Sequence, residues 1–423
     1  MTAPSRPRVV VIGGGFAGLN VAKTVANRPV DVVLIDRNNH HLFQPILYQV
    51  ATAALGPEQI ATPIRSVLRD ARNIDVVLGE VIGVDLAAKA VRLSDGARVE
   101  YDYVVIATGA RHSYFGKPEW ESLAPGLKSL EDALEIRRRV LTAFEKAEGE
   151  VEPVARQRLL TFVVVGGGAT GVELAGALAE IRRFALRRDF RRIDPNDATV
   201  MLLEGGPRLL PSYPRALSQR AQDSLRQLGV DVRTETLVTA IEPGLVSAAG
   251  WSIPTATVIW AAGNAASSLT KSLGVPLDRQ GRVPVASDCT VEGHPEVFVL
   301  GDAAAFCPQP GTGLLPGTCP VAVQMGVYAG RVILADLAGQ PRRPFRYRDK
   351  GQLAVIGRGR GVADIGKFAT SGFVAWLLWI FVHIFFLIGF RNRIVVMIEW
   401  AWAYVTFQRG ARLITGDWRA TRT

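Results

Sequence analysis

Two glycine turns of one kind constrain this chain more than any other feature. The first is Gly13-Gly14-Gly15-Phe16-Ala17-Gly18, a G-x-G-x-x-G between an apolar run, Arg8 to Ile12, and a helical stretch, Leu19 to Ala26. A second apolar run, Val30 to Ile35, ends in Asp36, eighteen residues past Gly18. Short β-branched runs of this kind read as buried parallel strands. In such a unit Gly13 permits the tight turn, Gly15 lets the backbone approach a pyrophosphate, and Gly18 lets helix and strand pack closely. The helix N-terminus then offers unpaired N–H groups to an anion. Asp36 stands where an acid can accept hydrogen bonds from ribose hydroxyls.

The unit recurs. Leu160 to Val165, Gly166-Gly167-Gly168-Ala169-Thr170-Gly171 and Val172 to Ile181 repeat it 153 residues on, and the next strand, Val200 to Leu203, ends in Glu204. Two dinucleotide-binding domains follow, the second inserted into the first. Glu204 favours an unphosphorylated ribose, hence NADH over NADPH, although Arg208 keeps the 2′-phosphate form open. Asp75–Leu78, Glu80–Asp85, Ala90–Leu93 and Tyr103–Ile106 read as strands, two of them joined by Ser94-Asp95-Gly96. The last leads into Ala107-Thr108-Gly109, a small-residue turn that backbone amides can use to approach a flavin. Val258 to Gly263 mirrors it, with Ala262 and Gly263 on the nicotinamide side. Val297 to Leu300 is a further buried strand, and Gly301-Asp302 at its end is placed for the ribityl chain of a flavin. Asp302 as a mere helix cap is the alternative.

At 423 residues the chain has room for two or three domains, and its net charge of +10 predicts attraction to anions. Nothing resembles a nucleic-acid module, so acidic lipid is the expected partner for the excess charge. The three cysteines, Cys289, Cys307 and Cys319, lack C-x-x-C spacing, which argues against a disulfide framework or a zinc site. The short polar lead before Arg8 shows no signal peptide and predicts folding in the cytoplasm. His40 and His41 lack a third ligand at helical spacing, so no metal is expected, and the segment through Gln49 reads as a polar loop feeding a helix. Leu130 to Glu148 reads as a solvated helical connector. Arg182 to Arg192, basic with apolar residues interleaved, reads as a solvated helix face, with contact to acidic lipid as the alternative.

The C-terminal end is the most apolar. Phe373 to Phe390 has one polar side chain, His383, and Ile394 to Phe407 is again apolar. As helix the first run is about 27 Å long, against a hydrocarbon core of about 30 Å. Trp376, Trp379, Trp400, Trp402 and Tyr404 suit a membrane interface, and Arg391, Arg393, Arg409 and Arg412 suit headgroups. Two helices lying in one leaflet are expected; a single span and a buried dimer interface are the alternatives.

The conjunction resembles the type II NADH dehydrogenases, the non-pumping NADH:quinone oxidoreductases. The resemblance rests on both glycine turns with Asp36 and Glu173, on His41 to Gln49, on Leu300-Gly301-Asp302, on Thr318 to Gln324 and on Tyr347 to Gly351, and it covers essentially the whole chain. It implies an α/β chain of two Rossmann-like domains with membrane-associated C-terminal helices. The expected division is 1–125 and 286–345 for FAD, 126–285 for NADH and 346–423 for the membrane. Expected FAD contacts are Gly13, Gly14, Gly15, Phe16, Ala17, Gly18, Asp36, Arg37, Val81, Ala107, Thr108, Gly109, Asp302, Ala322, Val323 and Lys350. Those for NADH are Gly166, Gly168, Gly171, Glu204, Ala262 and Gly263. The family's glutamate after the second turn matches Glu173, its lysine near the flavin matches Lys350, and the second glutamine of its quinone segment matches Gln324. Pro320 stands where the family has the first glutamine. These three, Glu173, Gln324 and Lys350, are the candidate catalytic residues.

The implied activity is hydride transfer from NADH to FAD, then reduction of a membrane quinone. The implied setting is a homodimer on the cytoplasmic face of the cell membrane. A sulfide:quinone oxidoreductase would need paired reactive cysteines, and a non-enzymatic flavin-binding redox sensor is the remaining alternative.

Overall fold

The computed structural model describes residues 6–186, 189–309, 311–388, 390–406 and 411–415. Arg187, Arg188, Arg409 and the side chains of Arg391 and Tyr404 lie outside the described residues. The chain forms two compact units, one of residues 1–42, 61–111 and 264–349, the other of 43–60, 112–263 and 350–423.

The first unit is built on a six-stranded sheet. Its order is Thr290–Val291, His294–Val299, Tyr103–Ile106, Arg8–Ile12, Asp31–Asp36 and Ile74–Leu78. All neighbours pair in parallel except the first two. Val9, Val10, Val11 and Val105 are fully buried, as a strand covered on both faces requires. Helix Phe16–Val25 crosses helix Cys319–Leu337 at glycines: a Cβ on Gly326 would stand 2.3 Å from the Ala17 carbonyl oxygen. Val81–Asp85, Ala90–Leu93 and Arg98–Glu100 make a separate antiparallel sheet. The third of these strands has no expectation in the sequence reading; at three residues it is too short to show a period.

The second unit repeats the scheme on four parallel strands in the order Val230–Arg233, Thr199–Leu203, Thr161–Val165, Thr257–Trp260. Trp260 stacks on Tyr114 at 5.2 Å and meets the edge of Trp120 at 5.6 Å, anchoring the core between this sheet and the sheet Val238–Glu242, Leu245–Ala248, Trp251–Pro254. A further antiparallel sheet, Gln352–Gly357, Arg360–Ile365 and Phe368–Gly372, carries helix Phe373–Phe386.

Four expectations need correction. The helix Leu130–Gly149 is no solvated connector: Ile136, Val140 and Phe144 form a buried stripe, and Arg137 and Arg138 are buried beside it. Its many charges hid the period of its apolar residues. The polar loop after Asp36 contains a strand, His40–Leu42, paired with Ala61–Pro63, and its His41 is 2% exposed. Arg182 is turned inward, donating to the carbonyls of Asn196, Ala198, Leu228 and Gly229. The tail does not hold one long helix from 373 to 390. Phe373–Phe386 stops at Leu387, whose backbone is extended, and Phe390–Thr406 follows. Fourteen residues make about 21 Å, and among the described residues no helix is long and apolar enough to cross a membrane.

Candidate functional site

Both glycine turns are built alike. Gly13 has φ +104° and Gly166 φ +111°, conformations that disfavour a side chain. A Cβ on Gly18 would stand 1.9 Å from the Gly13 carbonyl oxygen, and one on Gly171 1.8 Å from that of Gly166. By contrast, a Cβ on Gly15 or Gly168 would meet nothing within 4 Å. Each turn is therefore closed against its own strand and open at its third glycine, where a diphosphate can approach helix Phe16–Val25 or Ala169–Glu180. The acid after each second strand is tied back to its turn. Asp36 Oδ2 accepts from the Gly14 N–H at 2.5 Å and Glu204 Oε2 from the Gly167 N–H at 2.5 Å.

Around the first turn, Ala107 is buried against Gly13, and Thr108 Oγ1 is buried with no hydrogen-bond partner. Asp302, with Gly301, lines a cavity of about 370 Å³ together with Arg282, Gly317, Leu315 and Met325. Asp302 lies inside the short helix Gly301–Ala303, whose N-cap position is held by Leu300. Ala322 is buried and lies against Gly301. An open glycine, an orphaned hydroxyl and a carboxylate on a cavity fit FAD in this unit. Arg37 is exposed, Gly109 has φ +65°, and Val81 opens its own strand. In the second unit Gly263 has φ +74° and packs on Phe115 and Ser113.

The candidate catalytic residues fall in different units. Glu173 lies in the second, on helix Ala169–Glu180. That helix touches strand Gln352–Gly357 backbone to backbone, because a Cβ on Gly176 would stand 1.7 Å from the Ile356 carbonyl oxygen. The contact presses Glu173 to 8% exposure, with Oε1 3.4 Å from the Val355 N–H. Burial pushes its carboxyl up to about 8, against the smaller opposing pull of the Val355 amide and the Trp379 indole. Tyr213, buried close by, has its phenol raised by burial and then by Glu173 and Asp364. Lys350 is exposed in the same unit.

Gln324 lies in the first unit, where both ends of its amide are engaged. Its Nε2 donates to the Arg348 carbonyl at 2.9 Å, and its Oε1 accepts from the Arg348 N–H at 3.0 Å. It brackets the segment leading to Lys350 in the chain. Pro320 occupies the first turn of helix Cys319–Leu337, where a missing N–H costs nothing. Val323 is half-buried on the same helix.

Trp379, expected at a membrane interface, is 2% exposed instead. It stacks on His383 at 4.1 Å and lies 5.5 Å from Trp400, whose indole donates to Gln49 Oε1 at 2.7 Å. Gln49 Nε2 in turn donates to the Tyr48 hydroxyl at 3.0 Å. Sequence reasoning missed Trp379 and Tyr213 as neighbours of Glu173, and no local signal marks either. Among the described residues Cys289, Cys307 and Cys319 form no disulfide, and no metal-holding cluster of His, Cys, Asp or Glu occurs.

Residues 7–326 match the family model for pyridine nucleotide-disulphide oxidoreductases, and residues 350–408 match that for the NDH2 C-terminal domain. The type II NADH:quinone oxidoreductase Ndh of Mycobacterium tuberculosis is 43% identical over 99% of this chain and 93% of its own length. NdhA of the same organism is 42% identical over 97% of this chain and 90% of its own length. The solved structure of NDH2 from Plasmodium falciparum in complex with NADH is 20% identical and shares the fold, with a TM-score of 0.89 over 97% of this chain and 100% of that one. With two matching cradles, a buried glutamate behind the second and relatives of this identity along nearly its whole length, the chain belongs to the type II NADH:quinone oxidoreductases.

Proposed function

We propose that this FAD-dependent NADH:quinone oxidoreductase holds FAD on the first cradle and NADH on the second, and draws its acceptor from the membrane. The observation that carries this is the shared build of the two cradles, each closed on its strand, open at its third glycine and backed by an acid. When bound, the flavin supplies the hydride acceptance and the onward electron relay.

The chain's own residues supply the rest. Gly13 to Gly18 and Gly166 to Gly171 bind the two diphosphates through helix N-termini, while Asp36 and Glu204 select unphosphorylated ribose. Asp302, Ala107, Thr108, Gly109, Ala322 and Val323 line the flavin, joined by Arg37 and Val81, and Ala262 and Gly263 the nicotinamide. Lys350 is the cation that offsets negative charge arriving at the ring. Glu173, protonated at neutral pH by its burial, holds a proton at its carboxyl for the reduced acceptor. Gln324 orients the quinone, which requires it to exchange its Arg348 bonds for the substrate.

The tail attaches the chain to the cytoplasmic face of the membrane. In support, Phe373, Val374, Phe381, Phe385 and Phe386 are more than half exposed on one short helix, and Ile398 and Trp402 on the next. Apolar exposure of that extent marks an interaction surface.

Stopped-flow absorbance tests the proposal. NADH is expected to bleach the flavin rapidly, and a water-soluble quinone to restore its colour. Flavin that NADH leaves oxidised but sulfide bleaches would instead assign the sulfide:quinone reaction, and slow oxidation with persistent charge-transfer bands a sensor.

A further inference from the structure

The two cradles differ at the carbonyl of the middle glycine. In the second turn the Gly167 carbonyl accepts from the backbone N–H of Leu210 at 2.8 Å. In the first turn the matching carbonyl, that of Gly14, meets a side chain instead: His41 Nδ1, at 3.0 Å. Other contacts of the two middle glycines correspond. Gly14 and Gly167 each donate to the acid after the second strand. Each is also screened by a branched aliphatic side chain, with Ile64 Cδ1 2.4 Å from a Cβ on Gly14 and Leu209 Cδ2 2.6 Å from one on Gly167.

A carbonyl only accepts, so His41 carries its proton on Nδ1 and its Nε2 is a bare lone pair, buried without a partner. The ring is held in that orientation. It meets Phe16 edge to face, with centroids 4.9 Å apart and planes at 86°, and strand His40–Leu42 is fixed by its pairing with Ala61–Pro63. Peptide planarity gives the bond its consequence. The Gly14 carbonyl and the Gly15 N–H belong to one rigid peptide unit and point opposite ways. A donor that fixes the carbonyl therefore aims the N–H of the glycine whose outer face is open.

We propose that His41 is a positioning residue of the first cradle, doing with an imidazole N–H what the Leu210 backbone does in the second, so that FAD retention depends on a replaceable side chain while NADH binding does not. The inference rests on FAD occupying the first cradle; a purified wild-type chain that takes up no flavin would end that reading, and this inference with it.

The test compares His41→Asn, which keeps an N–H near the Nδ1 position, with His41→Leu and His41→Gln, which leave the Gly14 carbonyl unmet. FAD release from the holoenzyme is followed by free-flavin fluorescence, and NADH binding is measured alongside. His41→Leu and His41→Gln are expected to weaken FAD binding about tenfold, as for a buried acceptor left unpaired. His41→Asn should recover most of that loss, with NADH affinity unchanged throughout. Equal weakening in all three would assign the effect to ring packing against Phe16 and overturn the proposal, as would wild-type retention in His41→Leu. If the variants do not fold, ¹⁵N-histidine NMR of the wild-type holoenzyme decides: a proton on Nδ1 of His41 upholds the bond, and one on Nε2 overturns it.

Discussion

Glu173 shows how one residue's chemistry depends on its neighbours' shape. Gly176, one helical turn on, lacks the Cβ that would hold strand Gln352–Gly357 away, and the strand's arrival takes water from the carboxyl. The pH consequence has a definite sign. The folded chain holds the Glu173 proton up to about 8, against an ordinary value of 4.5. The group's contribution to stability is therefore fully present below about pH 4.5 and is lost as pH rises through about 8. Glu173→Gln removes that loss. Its melting temperature relative to wild type should climb from about pH 4.5 to about pH 8 and level off above that, read by differential scanning fluorimetry. A gap that stays flat across the range would mean the carboxyl is not held protonated. In the same variant the alkaline limb of quinone reduction should flatten while NADH still bleaches the flavin at the wild-type rate.

Among the elements, helix Leu130–Gly149 has the clearest local instructions. Ser129 Oγ accepts from the Asp132 N–H at 3.1 Å, and Asp132 Oδ2 accepts from the Ser129 N–H at 2.9 Å, a reciprocal cap on the first turn. Glu135 further along clamps Arg138 and Arg139 at 2.7 and 2.6 Å. Ser129→Ala should destabilise the chain by about 1 kcal/mol, seen as a lower urea midpoint with an unchanged slope. An unmoved midpoint would show that the helix is held by its buried face alone. That face was the harder part to read. A run with this many arginines and glutamates looks solvated until the spacing of Ile136, Val140 and Phe144 is set against a partner.

For the whole molecule the question is what the tail does. Its two faces have different work: Ala375 and Trp379 are buried, whereas Phe381, Phe385 and Ile398 are exposed. Truncation before Phe373 should release the chain from membranes, but it would also uncover the surroundings of Glu173. A cleaner test replaces Phe381, Phe385 and Ile398 with serine together. The variant should stop sedimenting with vesicles of acidic phospholipid yet keep reducing a water-soluble quinone with NADH. Undiminished sedimentation would place the attachment elsewhere.

The amino-acid sequence by itself determined the two glycine turns, the acids that back them, most strand positions and the apolar tail. Each of these is written within one continuous stretch, such as Arg8 to Asp36 or Leu160 to Glu204, and depends on backbone sterics and local period. Only the tertiary structure decided that His41 is buried against Gly14, that Gln324 is tied to Arg348, that Arg182 turns inward and that Trp379 belongs to the interior. The state of Glu173 depends on Val355 and Trp379, some two hundred positions away in the chain. Burial and the loss of water are sums over neighbours in space, and no local stretch of residues records who those neighbours will be.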